Sequence, residues 1–300
     1  MRLDRLTTER PNRASRNLDR LSPLAVARVM NREDRRAVAA VGRAAPRIAA
    51  AVTLIARALA SGGRLFFVGA GTSGRLGVLE AAECPPTFGT PPSLVQAIMA
   101  GGRASVFRSR EGAEDDAGAA AKAVRARVRA GDVVVGVSAS GITPFVRRAL
   151  ATARTRGAGT VLVVCNARSV APADVVIVAA PGPEVLAGST RLKAGTATKL
   201  VLNTLTTATM ARLGKMYGNR MVDLQPRSAK LRERALRLVV ELGRVSRARA
   251  RRLLREGGGV RAAIVMARTN RSGADARRAL TASRGFLGPL IDRVGPRSSR

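Results

Sequence analysis

Histidine is absent from all 300 residues of this chain, and with it go most of the routes by which side chains move protons or hold metals near neutral pH. Every Ser-His and Cys-His nucleophile pair is excluded, as is the commonest metal ligand. Only Cys84 and Cys165 carry thiols; without histidine they make a zinc site improbable, and neither a metal nor a cofactor is expected. Because they fall in different strand–helix units, they imply no disulfide framework and read as reduced thiols. Tryptophan is missing and aromatics make up 2% of the chain, so the stacking platforms of single-strand nucleic-acid binders are lacking. No apolar run approaches the ~20 residues that cross a bilayer. The opening stretch through Arg10 has no hydrophobic export region, so a cytoplasmic location without a membrane partner is expected. Acid–base work falls to carboxylates, lysine or the single tyrosine, Tyr217.

What is abundant is arginine. Lysine and arginine total 53 against 20 acidic residues, a net charge of +33, and Lys122, Lys193, Lys199, Lys215 and Lys230 are the only lysines. A polyanion partner and a solvated basic surface both fit that figure. With no docking module beside the charge, the solvated surface is favoured, and nucleic-acid binding beyond nonspecific attraction is not expected.

Hydrophobic residues are 46% of the chain, enough at this length for one large α/β domain and a smaller unit. Residues 1–60 read as helices: Ser22 caps one with Pro23 behind it, Asn31 caps a second with Asp34 at its third position, and Pro46 opens a third. Ile48, Val52, Ile55 and Leu59 give that last helix a core stripe. Apolar runs predict strands at 64–69, 94–99, 132–137, 159–164 and 174–178, spaced so that crossover helices fit between them. The sheet is therefore predicted to be parallel, with its ligand at the carboxyl ends of the strands, in a domain spanning 61–225. A long helix over 193–213 follows. The tail, 226–300, is punctuated by Gly257-Gly258-Gly259, Ser272-Gly273 and Gly285 into three or four helices that form a small subdomain.

Three turns carry the chemistry. Leu65–Val68 runs into Gly69-Ala70-Gly71-Thr72-Ser73-Gly74, a strand-to-helix turn of the kind that binds anions through free N–H groups. The three glycines fit a dinucleotide pattern, but no acidic residue for a ribose stands about 20 positions on, and Arg75 excludes a Walker loop. Taken alone, the turn is equally well an ordinary glycine turn. A second strand leads into Ser138-Ala139-Ser140-Gly141-Ile142-Thr143-Pro144, and Gly188–Thr196 forms a third hydroxyl-rich turn holding Lys193. Together they read as a pocket for a sugar phosphate.

At this point the residues amount to a family pattern. The blocks GAGTSGRLGVLEAAECPPTFG at 69–89, EGAEDD at 111–116, GPEVLAGSTRLKAGTATKLVLN at 182–203 and KMYGNRMVD at 215–223 occur in order. The chain resembles the N-acetylmuramic acid 6-phosphate etherases of the sugar isomerase (SIS) superfamily over essentially its whole length. The resemblance implies an SIS-type three-layer αβα sandwich, a homodimer with sites near the subunit interface, and a lyase of peptidoglycan recycling and amino sugar catabolism. The expected reaction splits the D-lactyl ether into D-lactate and N-acetylglucosamine 6-phosphate. The family's two active-site carboxylates fall on Glu83 and Glu114.

Chemistry gives those carboxylates work. A β-elimination needs one group to take the C2 proton and another to protonate the departing ether oxygen, a division suited to two carboxyls in different protonation states. Glu83 is expected to be the acid, in a helix ending at Pro85-Pro86 where the dipole is negative. Without the resemblance it reads as a surface glutamate, and Glu114, beside Glu111, Asp115 and Asp116, as part of an acidic helix opening. Phosphate is assigned to Thr72, Ser73, Ser138, Ser140 and Thr143, with charge from Lys193; Gly74 and Gly141 are further substrate-binding positions, and Glu184 is expected to make a sugar contact. Against the usual family pattern, Ile142 and Phe145 replace an arginine and a tyrosine, Ser228-Ala229 an Asn-Glu, and Arg10-Pro11-Asn12 an Arg-Asn-Pro. A non-catalytic sugar-phosphate sensor on the same fold is the alternative.

Overall fold

A computed structural model describes residues 6–167, 171–226 and 228–292. The first few residues of the stretch read for an export signal lie outside them. By contacts the chain divides into one unit of 1–82 and 92–207 and another of 83–91 and 208–300.

The first unit is built on five parallel strands, β1 (Leu65–Gly69), β2 (Val95–Met99), β3 (Val133–Val137), β4 (Gly159–Val164) and β5 (Val175–Val178), in the order β2-β1-β3-β4-β5. The predicted strands match to within a residue at each end. Their near-continuous apolar runs follow from burial on both faces. On one face Phe66, Val68, Val134, Leu162 and Val164 pack with Val124 of α5 (Ala117–Arg127) and with Val146, Ala149 and Leu150 of α6 (Pro144–Thr155). The opposite face lies against α2 (Ala45–Ala60) and α3 (Gly71–Phe88): a Cβ at Gly159 would touch Leu54, and one at Gly77 would come within 2.8 Å of the Phe67 Cβ. The result is the expected α/β three-layer sandwich. The stripe Ile48, Val52, Ile55 and Leu59 is buried as read.

Two helix boundaries differ from expectation. Ser22 does cap α1 (Pro23–Arg43), accepting from Ala25 N, but Asn31 caps nothing, because α1 runs unbroken for 21 residues. No glycine or proline interrupts 24–41, and Val29, Glu33, Ala37 and Ala40 form one buried stripe through the supposed break. α3 likewise passes through Pro85 and Pro86 to Phe88, with Gly89 N bonded to Pro85 O. Proline's φ suits a helix; what it removes is the N–H, here the donors for the carbonyls of Ala81 and Ala82.

A short helix α4 (Ala104–Phe107) follows β2, and α7 (Lys193–Arg212) follows β5. Among its described residues the second unit contains α8 (Ala229–Gly243), α9 (Arg247–Gly257), α10 (Val260–Thr269), α11 (Gly273–Ala282) and the single turn α12 (Gly288–Ile291), five helices where three or four were read. Val239, Leu253, Ile264, Val265 and Leu280 make its core. Among the described residues no single helix is long and apolar enough to cross a membrane.

Candidate active site

Of the two loops that follow the central strands, the first is shaped by backbone crowding and the second by its own side-chain hydroxyls. In the β1–α3 turn Gly71 takes φ +53°, and Gly74 N donates to Ala70 O at 3.1 Å. A Cβ on Gly74 would lie 2.5 Å from Gly69 O and 2.3 Å from Met99 Sδ, and one on Gly69 would lie 2.7 Å from Gly74 N. The turn closes on itself, with Thr72 and Ser73 half-buried at its tip. Gly74→Ala is therefore expected to shift the turn backbone, cost about 1–3 kcal/mol of stability as overpacking does, and raise KM more than 10-fold, the last on the order of one lost charge-assisted contact. Thermal unfolding and steady-state kinetics together check this.

The second loop holds its hydroxyls on one another. Ser138 Oγ lies 2.8 Å from Thr143 Oγ1 and 3.3 Å from Ser140 Oγ, and it accepts from Gly141 N at 3.0 Å. Ser140 Oγ accepts from Ile142 N, and Gly141 is left-handed at φ +76°. β1 and β3 are neighbours in the sheet, so the two turns leave adjacent strand ends. Glu114 joins them through the backbone: Phe145 N, in the first turn of α6, donates to Glu114 O at 3.0 Å. The exposed Glu114 also lines a cleft of about 230 Å³ with Gly71, Arg75, Met99, Ser105 and Arg110. Asp116, two residues on, caps α5 through Ala119 N, so the acidic cluster does open a helix as well.

Thr72 also reaches the third loop, its methyl 3.7 Å from where a Gly195 Cβ would stand. Here the arrangement departs from expectation. The N-terminus of α7 is filled by the chain's own carboxylate: Glu184 accepts from Lys193 N and Ala194 N, each at 2.9 Å. Glu184 is fully buried, and burial holds its pKa above the ordinary value against the pull of those two N–H groups. Lys193 is equally buried, its ammonium 2.7 Å from Glu33 Oε2. Neither side chain is presented to solvent, because each neutralises or caps an element that would otherwise be buried unpaired. Burial raises the pKa of Glu33, but hydrogen bonds from Lys193 and Asn12 outweigh it and hold the carboxyl below 4.5.

Sequence reasoning missed this network and the segment that closes it. Asn12 Nδ2 donates to Glu33 and to Pro183 O, Ser15 Oγ to Val185 O, and Gly188 N to Thr8 O. Asn166, after β4, accepts from Thr7 N and donates to Ala139 O in the second loop. The available signal was Glu33 itself, a carboxylate on the apolar stripe of α1.

Glu83 stands on α3, exposed, five residues before its end. Two other reactive groups are spoken for. Burial pushes the Cys165 thiol up to about 12, and the Tyr217 hydroxyl donates to Asp292, which with burial raises its pKa.

Residues 47–154 match the family model described as the glucokinase regulatory protein N-terminal SIS domain. The N-acetylmuramic acid 6-phosphate etherase of Symbiobacterium thermophilum is 54% identical over 268 residues, 88% of this chain and 89% of its own. That of Gloeobacter violaceus is 52% identical over 297 residues, 97% of each chain. Among solved structures, a phosphoheptose isomerase from Francisella tularensis covers 64% of this chain and 100% of its own, at 17% identity and a TM-score of 0.49.

Proposed function

From the premise that this chain belongs to the N-acetylmuramic acid 6-phosphate etherase family, we propose that it cleaves the D-lactyl ether of N-acetylmuramic acid 6-phosphate, acting as a carbon–oxygen lyase in amino sugar recycling. The observation that carries this reading into the fold is the Ser138–Thr143 turn, whose three hydroxyls converge one strand away from Gly69–Gly74. A phosphate monoester offers several acceptor oxygens to such donors. Thr72, Ser73, Gly74, Ser138, Ser140, Gly141 and Thr143 are our phosphate and sugar contacts. Glu184 and Lys193 then act as supports of the α7 turn.

The reaction runs on the open-chain sugar, whose C1 aldehyde acidifies the C2 hydrogen. Glu114 takes that proton, the C3–O bond breaks, and Glu83 protonates the leaving D-lactate oxygen. Water then adds its hydroxyl to C3 and a proton to C2. Each assisted transfer is worth about 10²- to 10⁴-fold. Further parts of the proposal are a homodimer and a cytoplasmic location, where the phosphorylated substrate would be kept.

D-lactate release from N-acetylmuramic acid 6-phosphate by the pure protein is the direct test, with release well above background expected. A second reading, a sugar-phosphate sensor, draws on the match to the regulatory-protein SIS domain. It requires stabilisation by the sugar phosphate with no lactate formed.

A further inference from the structure

The cleft beside Glu114 contains two groups the reaction scheme leaves unused. Ser105 is buried, 3% exposed, and its Oγ has no hydrogen-bond partner, although a Cβ on Gly101 would sit 2.2 Å from it. A buried hydroxyl without a partner is uncommon and needs a reason. Arg110 lines the same cleft, and among the described residues its guanidinium makes no ion pair or hydrogen bond. The other guanidinium there differs. Arg75 donates from Nε to Val106 O at 2.8 Å and from Nη2 to Ser105 O at 2.9 Å, so it is fixed as the strut that holds α4 and Ser105 in place.

A substrate of the proposed kind brings two anions to the site. The phosphate, at C6, is matched by the hydroxyls and N–H groups of the second loop. The other is the lactyl carboxylate, one carbon from the ether oxygen and so close to the C2–C3 bond on which Glu114 acts. Glu111 and Glu114 line this cleft, and an anion entering between two carboxylates needs a cation of its own. Resting on the etherase reading, we propose that the cleft is the subsite for the lactyl carboxylate, with Arg110 its counter-charge and the Ser105 hydroxyl its second donor. The planar guanidinium suits a carboxylate, and the orphan hydroxyl gains in the complex the partner it lacks in the free protein.

The subsite makes the enzyme selective for a free carboxylate over a blocked one. The experiment compares kcat/KM for N-acetylmuramic acid 6-phosphate and for the same compound with its lactyl carboxylate converted to the primary amide, in wild type, Arg110→Gln, Arg110→Lys and Ser105→Ala. Arg110→Gln is expected to lower kcat/KM for the free acid about 10- to 100-fold, chiefly through KM, the range a charge-assisted hydrogen bond supports. For the amide the loss should stay within about 3-fold, since a neutral partner forfeits little, and Arg110→Lys should restore part of the loss on the acid. Ser105→Ala should raise KM for the acid while leaving thermal stability unchanged or higher, because it removes an unsatisfied group. Equal losses on acid and amide in Arg110→Gln would overturn the subsite, as would a Ser105→Ala protein that loses stability with KM unchanged. No lactate from the wild type with the free acid would instead overturn the etherase reading beneath it.

Discussion

Lys193→Met is expected to destabilise the first unit by about 3–5 kcal/mol, the cost of leaving a buried carboxylate without its partner. Lys193 and Glu33 are 0% and 1% exposed and 2.7 Å apart. Asn12 still donates to Glu33, and the more exposed Arg36 reaches its other oxygen at 3.3 Å, but neither replaces a buried ammonium. Glu33→Leu alone strands the ammonium and is expected to cost as much, whereas the double variant Glu33→Leu/Lys193→Met should recover most of the loss because neither member of the pair is left buried without its partner. Chemical denaturation with an unchanged m-value reads these differences. A double variant no better than the worse single variant would show that the pair is not the cause.

The pair also sets a pH dependence. The Glu33 pKa is lowered in the folded chain, so its contribution is complete above the ordinary value of 4.5 and is lost as pH falls through the folded value. Glu184 runs the other way: raised by burial, it withholds stability at neutral pH and returns it on acidification. The stability gap between wild type and Glu33→Gln should therefore close below about pH 4.5. A gap constant down to pH 3 or so would exclude Glu33 as the titrating group.

The sheet was legible because its strands are apolar on both faces and bounded by glycine turns; alternation was not needed to find Leu65–Gly69 or Val133–Val137. The first two loops could be located for the same reason, since an apolar run that stops at a glycine or a hydroxyl marks a strand-to-helix turn, although the glycine turn by itself did not distinguish an anion site from an ordinary turn. The third was misread. Gly188-Ser189-Thr190 followed by Lys193 has the composition of an anion site, and the N-terminus of α7 does bind an anion, but the anion is Glu184 of the same chain. Local pattern cannot tell a ligand from a carboxylate nine residues upstream, and it cannot see Glu33, 160 residues away. Pro85-Pro86 misled in another way: proline marks a helix end on average, yet within the last turns only two N–H groups are lost and packing carries the helix on to Phe88.

Glu83→Gln and Glu114→Gln are expected to lower lactate release about 10²- to 10⁴-fold each, and to differ in what survives. Glutamine keeps the shape and the hydrogen bonding of either carboxyl and loses only proton transfer. If Glu114 is the base, Glu114→Gln should abolish exchange of the substrate C2 hydrogen with deuterium oxide along with product formation. Glu83→Gln should still open the C2–H bond and exchange it, yet fail to expel lactate, because an unprotonated alkoxide is too poor a leaving group. The product-side reaction gives an independent reading. Adding water back across the C2–C3 double bond requires the same two groups in reverse, so Glu83→Gln should still exchange the C2 hydrogen of N-acetylglucosamine 6-phosphate with deuterium oxide but should lose exchange of its C3 oxygen with oxygen-18 water. Loss of C2 exchange in Glu83→Gln, with exchange retained in Glu114→Gln, would reverse the two roles while leaving the lyase reading intact. Full activity in either variant would remove that carboxylate from the reaction, and full activity in Glu114→Gln would also leave the cleft beside it without the neighbour that gives it a substrate.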